Sequence, residues 1–535
     1  MKRTIKDIKE RYEKAKTEQI KFEKLYEDVY KFGTPDRYNN IKPNRNGTVT
    51  SNREEIFSSV LEQSCNEFVQ RLQSLLCPVN MDWIDFEAGY IYTADPTNKA
   101  FAEDVNKNLN IAKKVCNVYK ACSNYDSVFT EMAFDVIAGT GVMSCLEGSP
   151  DNPLNFVAIP FKDICIEDGV NGEACAYYRH LCLPNEQIKK QWASANYSYE
   201  KGKETEKKDL LEATYYDDTD RVWRYVVIDD KEEKVIVEKI SLCSPFIDLR
   251  WSKCAGETYG RGPGLQVIND FKTLNKIKEY SLRALSFTVP CFTAVADGVF
   301  DPDKFLLKPG AISPVGSNAT NNPTVKQLEV NPMPDLSNYQ IDKLTMEIKR
   351  NMYASTIPDE PSKMTATEIM RRTQELDSSL NNAFGRLLSF LQRLIPRMIE
   401  VLKNFGYLDK ENKIDVRQFN GFGFKIKINT RLANQQNMAE VDSTLNAIGT
   451  LLQADPSGQM LDKSVKLDEL IPDILVKMGL DRDYVRTEAE RREYEAKKQQ
   501  AMLLAQQQAM INDVDVSNAK EQGKADAQRY ARQGM

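Results

Sequence analysis

The stretch from Gly262 to Asn404 constrains this chain more than any other. It reads as a helix, a Pro/Gly/Asn-rich insert, a second helix, a short acidic loop and one very long helix. Pro263 opens the first, since a fixed φ and a missing N–H suit the first helical turn. Leu265, Ile268, Phe271, Leu274, Ile277, Leu282 and Leu285 then recur every three to five positions until Pro290 stops the helix. The second is expected from Ser337, where Gln340 completes a capping-box pattern ahead of Ile341, Leu344, Ile348 and Met352. The third is expected from Thr365, with Glu368 in the same role and an apolar stripe running from Ile369 to Leu402. At about 1.5 Å per residue the first helix spans roughly 35–40 Å and the third about 60 Å, against a mean helix of about 11–12 residues. Pro396 removes one backbone bond inside the third helix and predicts a kink there. Pattern alone fits two helical hairpins in a large α-rich protein and names no function.

With 535 residues, 41% hydrophobic and 28% charged, the chain has room for several cores, and most of it should fold. Its net charge of −6 argues against gripping nucleic acid by bulk charge, yet leaves open a protein that DNA merely passes. The apolar run from Ala284 to Ala296 contains Pro290 and is shorter than the roughly 20 residues a bilayer needs, so no membrane span is expected. Met1 to Asp7 is charged and lacks an apolar signal core, which predicts a cytosolic protein or one assembled from the cytosol. Eleven cysteines without a C-x-x-C pair and a single histidine, His180, offer no zinc-type cluster at usual spacings. Reduced, mostly buried thiols and a structural His180 are expected.

Along the chain, residues 2–32, 53–76, 97–119 and 125–138 read as helices, with a strand at Trp83–Phe86 and a Gly139-Thr140-Gly141 turn. From Val142 the pattern changes. Short strands are predicted at Phe156–Ile159, Ile164–Glu167, Cys175–Leu183, Leu211–Tyr216, Val222–Ile228 and Lys234–Ile240, giving an α+β class with helices first and antiparallel strands after. The insert carries strand candidates at Phe292–Ala296 and Val325–Val330 and looks like a small mixed module. A strand follows at Gly421–Thr430, then helix from Asn434 to Met478 with a break at Asp455–Gly458, then a charged and Gln/Ala-rich tail from Tyr484.

Several chemistries are missing. There is no G-x-x-x-x-G-K-[ST] phosphate loop, and Gly256-Glu257-Thr258-Tyr259-Gly260-Arg261-Gly262-Pro263 has neither the lysine nor the spacing. Its glycines suit a sharp turn into the helix. A Ser-His-Asp arrangement would depend on His180 alone, and no serine sits in an elbow motif. Adjacent acidic pairs such as Asp359/Glu360 are expected by chance among 78 acidic residues. The reading is no enzyme and no cofactor.

Ser244-Pro245-Phe246-Ile247-Asp248-Leu249-Arg250-Trp251, followed by Gly256 to Pro263, resembles the head-to-tail connector, or portal, proteins of short-tailed bacteriophages. So do Leu75-Leu76-Cys77-Pro78 with Trp83, the Val136 to Gly141 turn, and Met364-Thr365-Ala366-Thr367-Glu368-Ile369. The more specific motif positions are Arg250, Trp251, Gly256, Glu257, Tyr259, Gly260, Arg261, Gly262, Thr365 and Glu368. The resemblance implies a homododecameric ring at one capsid vertex, the head-tail junction of the virion, assembled in the host cytoplasm. It assigns a wing to 1–262 and 365–430, stem helices to 263–288 and 337–354, and a clip to 289–336. A channel loop falls at 355–364, a crown at 431–483 and a tail at 484–535.

On that resemblance double-stranded DNA passes the channel during packaging and ejection. The terminase large subunit and then a tail adaptor dock on the clip, and the major capsid and scaffold proteins surround the ring. Twelve copies at −6 each sum to about −72, so the channel should hold DNA weakly. Candidate channel residues are Lys272, Lys276, Lys278, Arg283, Lys343, Lys349 and Arg350, with Asp359 and Glu360 available to centre the duplex by repulsion. Alternatively these cations pair with Asp270, Glu279, Asp342 and Glu347 between subunits. Two other classes stay open: a non-ring structural, internal virion or scaffold protein, and a DNA-processing enzyme, which would need a carboxylate cluster that the sequence does not reveal.

Overall fold

The computed structural model describes residues 2–40, 53–79, 81–93, 99–192, 195, 197–200, 202–288, 334–354, 388–408, 415–419, 423–428, 431–454 and 465–478, with 485–486, 490–491, 493–504 and 523–524 beyond them. The chain divides into two compact units, Met1–Leu432 and Ala433–Met535. The first unit is α+β, as expected.

Helix α1 (Ile5–Gly33) starts where Thr4 and Asp7 form a reciprocal capping box. Its inner face crosses a five-stranded antiparallel sheet made of β4 (Ile164–Asp168), β5 (Ala174–Pro184), β6 (Lys207–Asp217), β7 (Val222–Asp229) and β8 (Lys234–Ser241), in that spatial order. Ile8 and Ala15 of α1 bury against Cys165, Ala176, Tyr178, Leu211, Ala213, Tyr215, Val226 and Ile228. These positions alternate along each strand, as one face of a pleated sheet requires. The opposite face meets a three-stranded sheet, β3 (Leu154–Ile159), β2 (Thr140–Glu147) and β9 (Phe246–Arg250), where Tyr177 stacks on Phe246 with ring centroids 5.9 Å apart.

Around this core lie α2 (Val60–Leu76), α3 (Tyr90–Thr93), α4 (Lys99–Cys122), α5 (Tyr125–Ala138) and α6 (Asn185–Gln191). Strand β1 (Ile84–Ala88) pairs antiparallel with β10 (Phe424–Ile428). The long helices are α7 (Pro263–Thr288), α8 (Pro334–Asn351) and α9 (388–404). Helix α10 (Arg431–Ala454) leads into the second unit, which also holds α11 (Leu467–Lys477).

Three expectations need correction. Helix α2 starts at Val60 and not at Arg53, because Asn275 of α7 captures the preceding segment. Its Oδ1 accepts the Phe57 and Ser58 N–H groups at 2.7 and 3.2 Å, and its Nδ2 donates to the Glu55 carbonyl at 2.7 Å. Helix α8 starts at Pro334, three residues before Ser337, with proline again at a first helical position. The 139–141 segment is more than a turn, since β2 begins at Thr140. The insert from 289 to 333, the 355–364 loop and the expected helix start at Thr365 and Glu368 lie outside the described residues. Helix α9 stays helical through Pro396.

Candidate functional site: a helix pair and its glycine clasp

The start of α7 is held by a backbone crossing between two glycine-rich segments. The junction of α5 and β2 supplies Gly139 and Gly141, the segment before α7 supplies Gly260 and Gly262, and the first turn of α7 supplies Gly264. Three bonds hold the crossing and a fourth ties it to α1. Gly262 N–H donates to the Ala138 carbonyl at 2.9 Å, and Trp251 N–H to the Gly139 carbonyl at 3.0 Å. Gly260 N–H donates to Thr140 Oγ1 at 2.8 Å, and the Tyr26 hydroxyl of α1 donates to the Gly260 carbonyl. No side chain fits between the strands of this crossing. A Cβ on Gly262 would sit 2.1 Å from the Ile137 carbonyl oxygen, and one on Gly139 would sit 2.1 Å from that of Gly260.

The remaining motif residues brace the crossing. Tyr259 is fully buried, its hydroxyl accepts the Ile166 N–H at 3.0 Å, and its ring packs on Phe22 and Phe161. Arg250 forks onto Asp168 at 2.8 and 3.1 Å, with its Nε 2.7 Å from Asp248. Glu257 and Arg261 pair on the surface at 2.6 Å. Gly256 has φ +84, a left-handed conformation, in open space. These positions build the seat of α7.

The far end of α8 is rooted in the same block. Tyr353 N–H donates to the Arg350 carbonyl and Ala354 N–H to that of Lys349, at 3.1 and 2.9 Å, which is a Schellman motif. Its left-handed position is Tyr353, φ 55, whereas the same motif after α9 uses Gly406, φ 79. The tyrosine is there for its ring, which packs on Phe68 and, edge-on at 5.6 Å, on Trp251. Arg71 Nη1 also donates to its carbonyl at 3.0 Å. Tyr353→Gly loses the ring but relieves the left-handed strain, whereas Tyr353→Ala loses the ring and keeps the strain. The alanine variant is therefore expected to be less stable than the glycine variant by about 1 kcal/mol in urea denaturation, and equal midpoints would refute the strain.

The structure places the candidate cations unevenly. Lys276 and Arg283 both bond Glu279 of their own helix, at 2.7 and 2.6 Å, and Lys272 reaches Asp28 of α1 at 2.5 Å. Lys278, Lys343, Lys349 and Arg350 form no ion pair among the described residues. Lys343 and Arg350 are exposed and lie two helical turns apart on one face of α8, with exposed Met346 and Glu347 between them. Asp359 and Glu360 lie outside the described residues. Among the described residues no group of His, Cys, Asp or Glu could hold a metal, and no helix is long and apolar enough to cross a membrane.

The model of the bacteriophage head to tail connecting proteins matches residues 5–485. The chain belongs to this family. Solved structures similar to the connector include a chain of the virion of a native gene transfer agent particle. It is 11% identical, over 74% of this chain and 88% of that one, with a TM-score of 0.33. A chain from the neck of an empty particle of that agent, computed with C6 symmetry, is 12% identical over 76% and 89%, with a TM-score of 0.29. No curated protein matches the connector.

Sequence reasoning found the clasp glycines through the family motif, but missed what they touch. It also missed Tyr26, Arg71, Asp168 and Arg393, whose partners lie far along the chain. For Tyr26 the only signal was an aromatic position on the inner face of α1.

Proposed function

We propose that the connector assembles into a ring, of twelve subunits in the reading the resemblance implies, at one capsid vertex, with double-stranded DNA passing its central channel. The terminase large subunit would dock on it during packaging and a tail adaptor afterwards, with capsid and scaffold proteins around it and assembly in the host cytoplasm. What carries this reading is the family match over almost the whole chain.

The helix pair supports it. Tyr280, Leu282, Tyr339 and Met346 are each more than half exposed on α7 and α8, an apolar cost that neighbouring copies would offset. Lys343, Lys349 and Arg350 supply sparse, sequence-blind phosphate contacts of the kind a sliding duplex tolerates, while Glu279 quiets Lys276 and Arg283. On this reading α8 presents more usable positive charge than α7.

Native mass spectrometry and end-on electron micrographs test the assembly. Rings of about twelve subunits around a hole at least about 20 Å wide, the width of a duplex, are expected; a stable monomer at high concentration would overturn the reading. In such rings the Lys343→Ala/Arg350→Ala pair is expected to leave the mass unchanged and to weaken duplex binding several-fold at low salt. Unaltered binding would remove these cations from the channel.

A further inference from the structure

Helix α1 reaches the clasp with two tyrosines one turn apart. The Tyr26 hydroxyl bonds the Gly260 carbonyl, and the Tyr30 hydroxyl donates to Asp135 Oδ1 at 2.8 Å. Asp135 is only 4% exposed, and its own backbone carbonyl accepts the Gly139 N–H at 3.2 Å, so its carboxyl lies where α5 ends and the clasp begins.

The groups facing this carboxyl are few. From α1 come Tyr30 and, beyond it, Tyr26; from the 3-10 turn Pro35–Asn40 comes Arg37; from its own helix comes Glu131. No charge on α2, α7, β2 or β3 acts on it among the described residues. Arg37 makes no bond to the carboxyl: its guanidinium lies over the Phe134 ring, 4.4 Å from the centroid, and donates to the Glu131 carbonyl at 3.1 Å. Asp135 thus has one hydrogen bond, from a neutral donor, and no salt bridge. A carboxylate cannot be held cheaply in such a place, whereas a neutral carboxyl can.

We propose that Asp135 is a protonation latch: neutral, it lets α1 and the end of α5 close on the clasp, and ionised, it loosens both together with the seat of α7. Burial pushes its carboxyl up to about 7, opposed by the Tyr30 hydrogen bond and by Arg37. Because the folded value is raised, the stabilisation is complete below the unfolded value near 4 and is lost as pH rises through about 7.

Amide hydrogen exchange on the full-length protein, read at Gly139 and Gly262 from pH 5 to 8.5, tests the latch. After correction for intrinsic exchange, protection is expected to fall by up to about tenfold per pH unit up to about pH 7 and then to level off. In Asp135→Asn, where the amide oxygen can still accept from Tyr30, the profile is expected to be flat. Tyr30→Phe removes a bond that favours the ionised form, so the fall should persist and level off at higher pH. A flat wild-type profile, or a wild-type slope surviving in Asp135→Asn, would overturn the latch. If the asparagine variant does not fold, an unmoved levelling point in Tyr30→Phe overturns it instead.

Discussion

Gly262→Ala is expected to cost on the order of 4 kcal/mol or more, among the largest effects that a single methyl group has. The added carbon would lie 2.1 Å from the Ile137 carbonyl oxygen and 2.6 Å from that of Val136. Both are backbone atoms at the end of α5, so no side chain can rotate away. Overpacking in a core usually costs about 1–3 kcal/mol because neighbours shift. Here a shift would pull apart the Gly262-to-Ala138 and Trp251-to-Gly139 bonds and expose fully buried Tyr259 and Trp251, which is 3% exposed. Gly256→Ala is the internal reference. It lies in the same motif with φ +84 and nothing within 4 Å, so it should cost only about 1 kcal/mol of backbone strain. Urea midpoints of the two variants decide the matter. Equal midpoints would mean that the crossing is not close-packed and that the motif glycines serve conformation alone.

That contrast also shows what the sequence could reveal. A run of glycines before Pro263 announces a sharp entry into a helix, and the periodic stripe of α7 follows from it. That Gly260 and Gly139 touch, 121 residues apart, has no local signature. Strands β4 to β7, expected from alternation, are found because one face of their sheet packs on α1 and the pattern survives in the residues. Strands β2 and β9 escaped because they are buried on both sides. Six consecutive residues from Thr140 are buried, as are Phe246 to Leu249, so no alternation remains to be read. The ion pairs of α7 were half legible. Lys276, Glu279 and Arg283 stand three and four residues apart on one helix face, but the sequence could not say that they would pair within the helix and not across subunits.

Asp248→Asn is the second large effect, about 3–5 kcal/mol, and it locates what fastens α9 to the sheets. Asp248 is 2% exposed and sits between two guanidinium groups: Arg393 Nη1 on α9 at 2.6 Å and Arg250 Nε at 2.7 Å. The Tyr177 hydroxyl of β5 donates to it at 2.5 Å, and Arg393 Nη2 donates to its backbone carbonyl at 2.8 Å. Burial alone would raise this carboxyl. The two arginines and the tyrosine reverse that and hold it far below the usual carboxylate range. A carboxylate depressed in the folded state contributes stability above its unfolded value near 3.9, lost only as pH falls through the folded value. The loss in Asp248→Asn should therefore be nearly constant from pH 5 to 9, unlike the effect at Asp135. Asparagine keeps the shape but leaves the cations uncompensated, and breaking one side of a buried ion pair costs more than the pair is worth in sum. Arg250 retains Asp168, so the loss falls mainly on Arg393, the link from α9. The expected result is a lower urea midpoint, together with faster amide exchange in α9 than in α1. Equal acceleration in both helices would place Asp248 in the general core and deny it a particular part in holding α9.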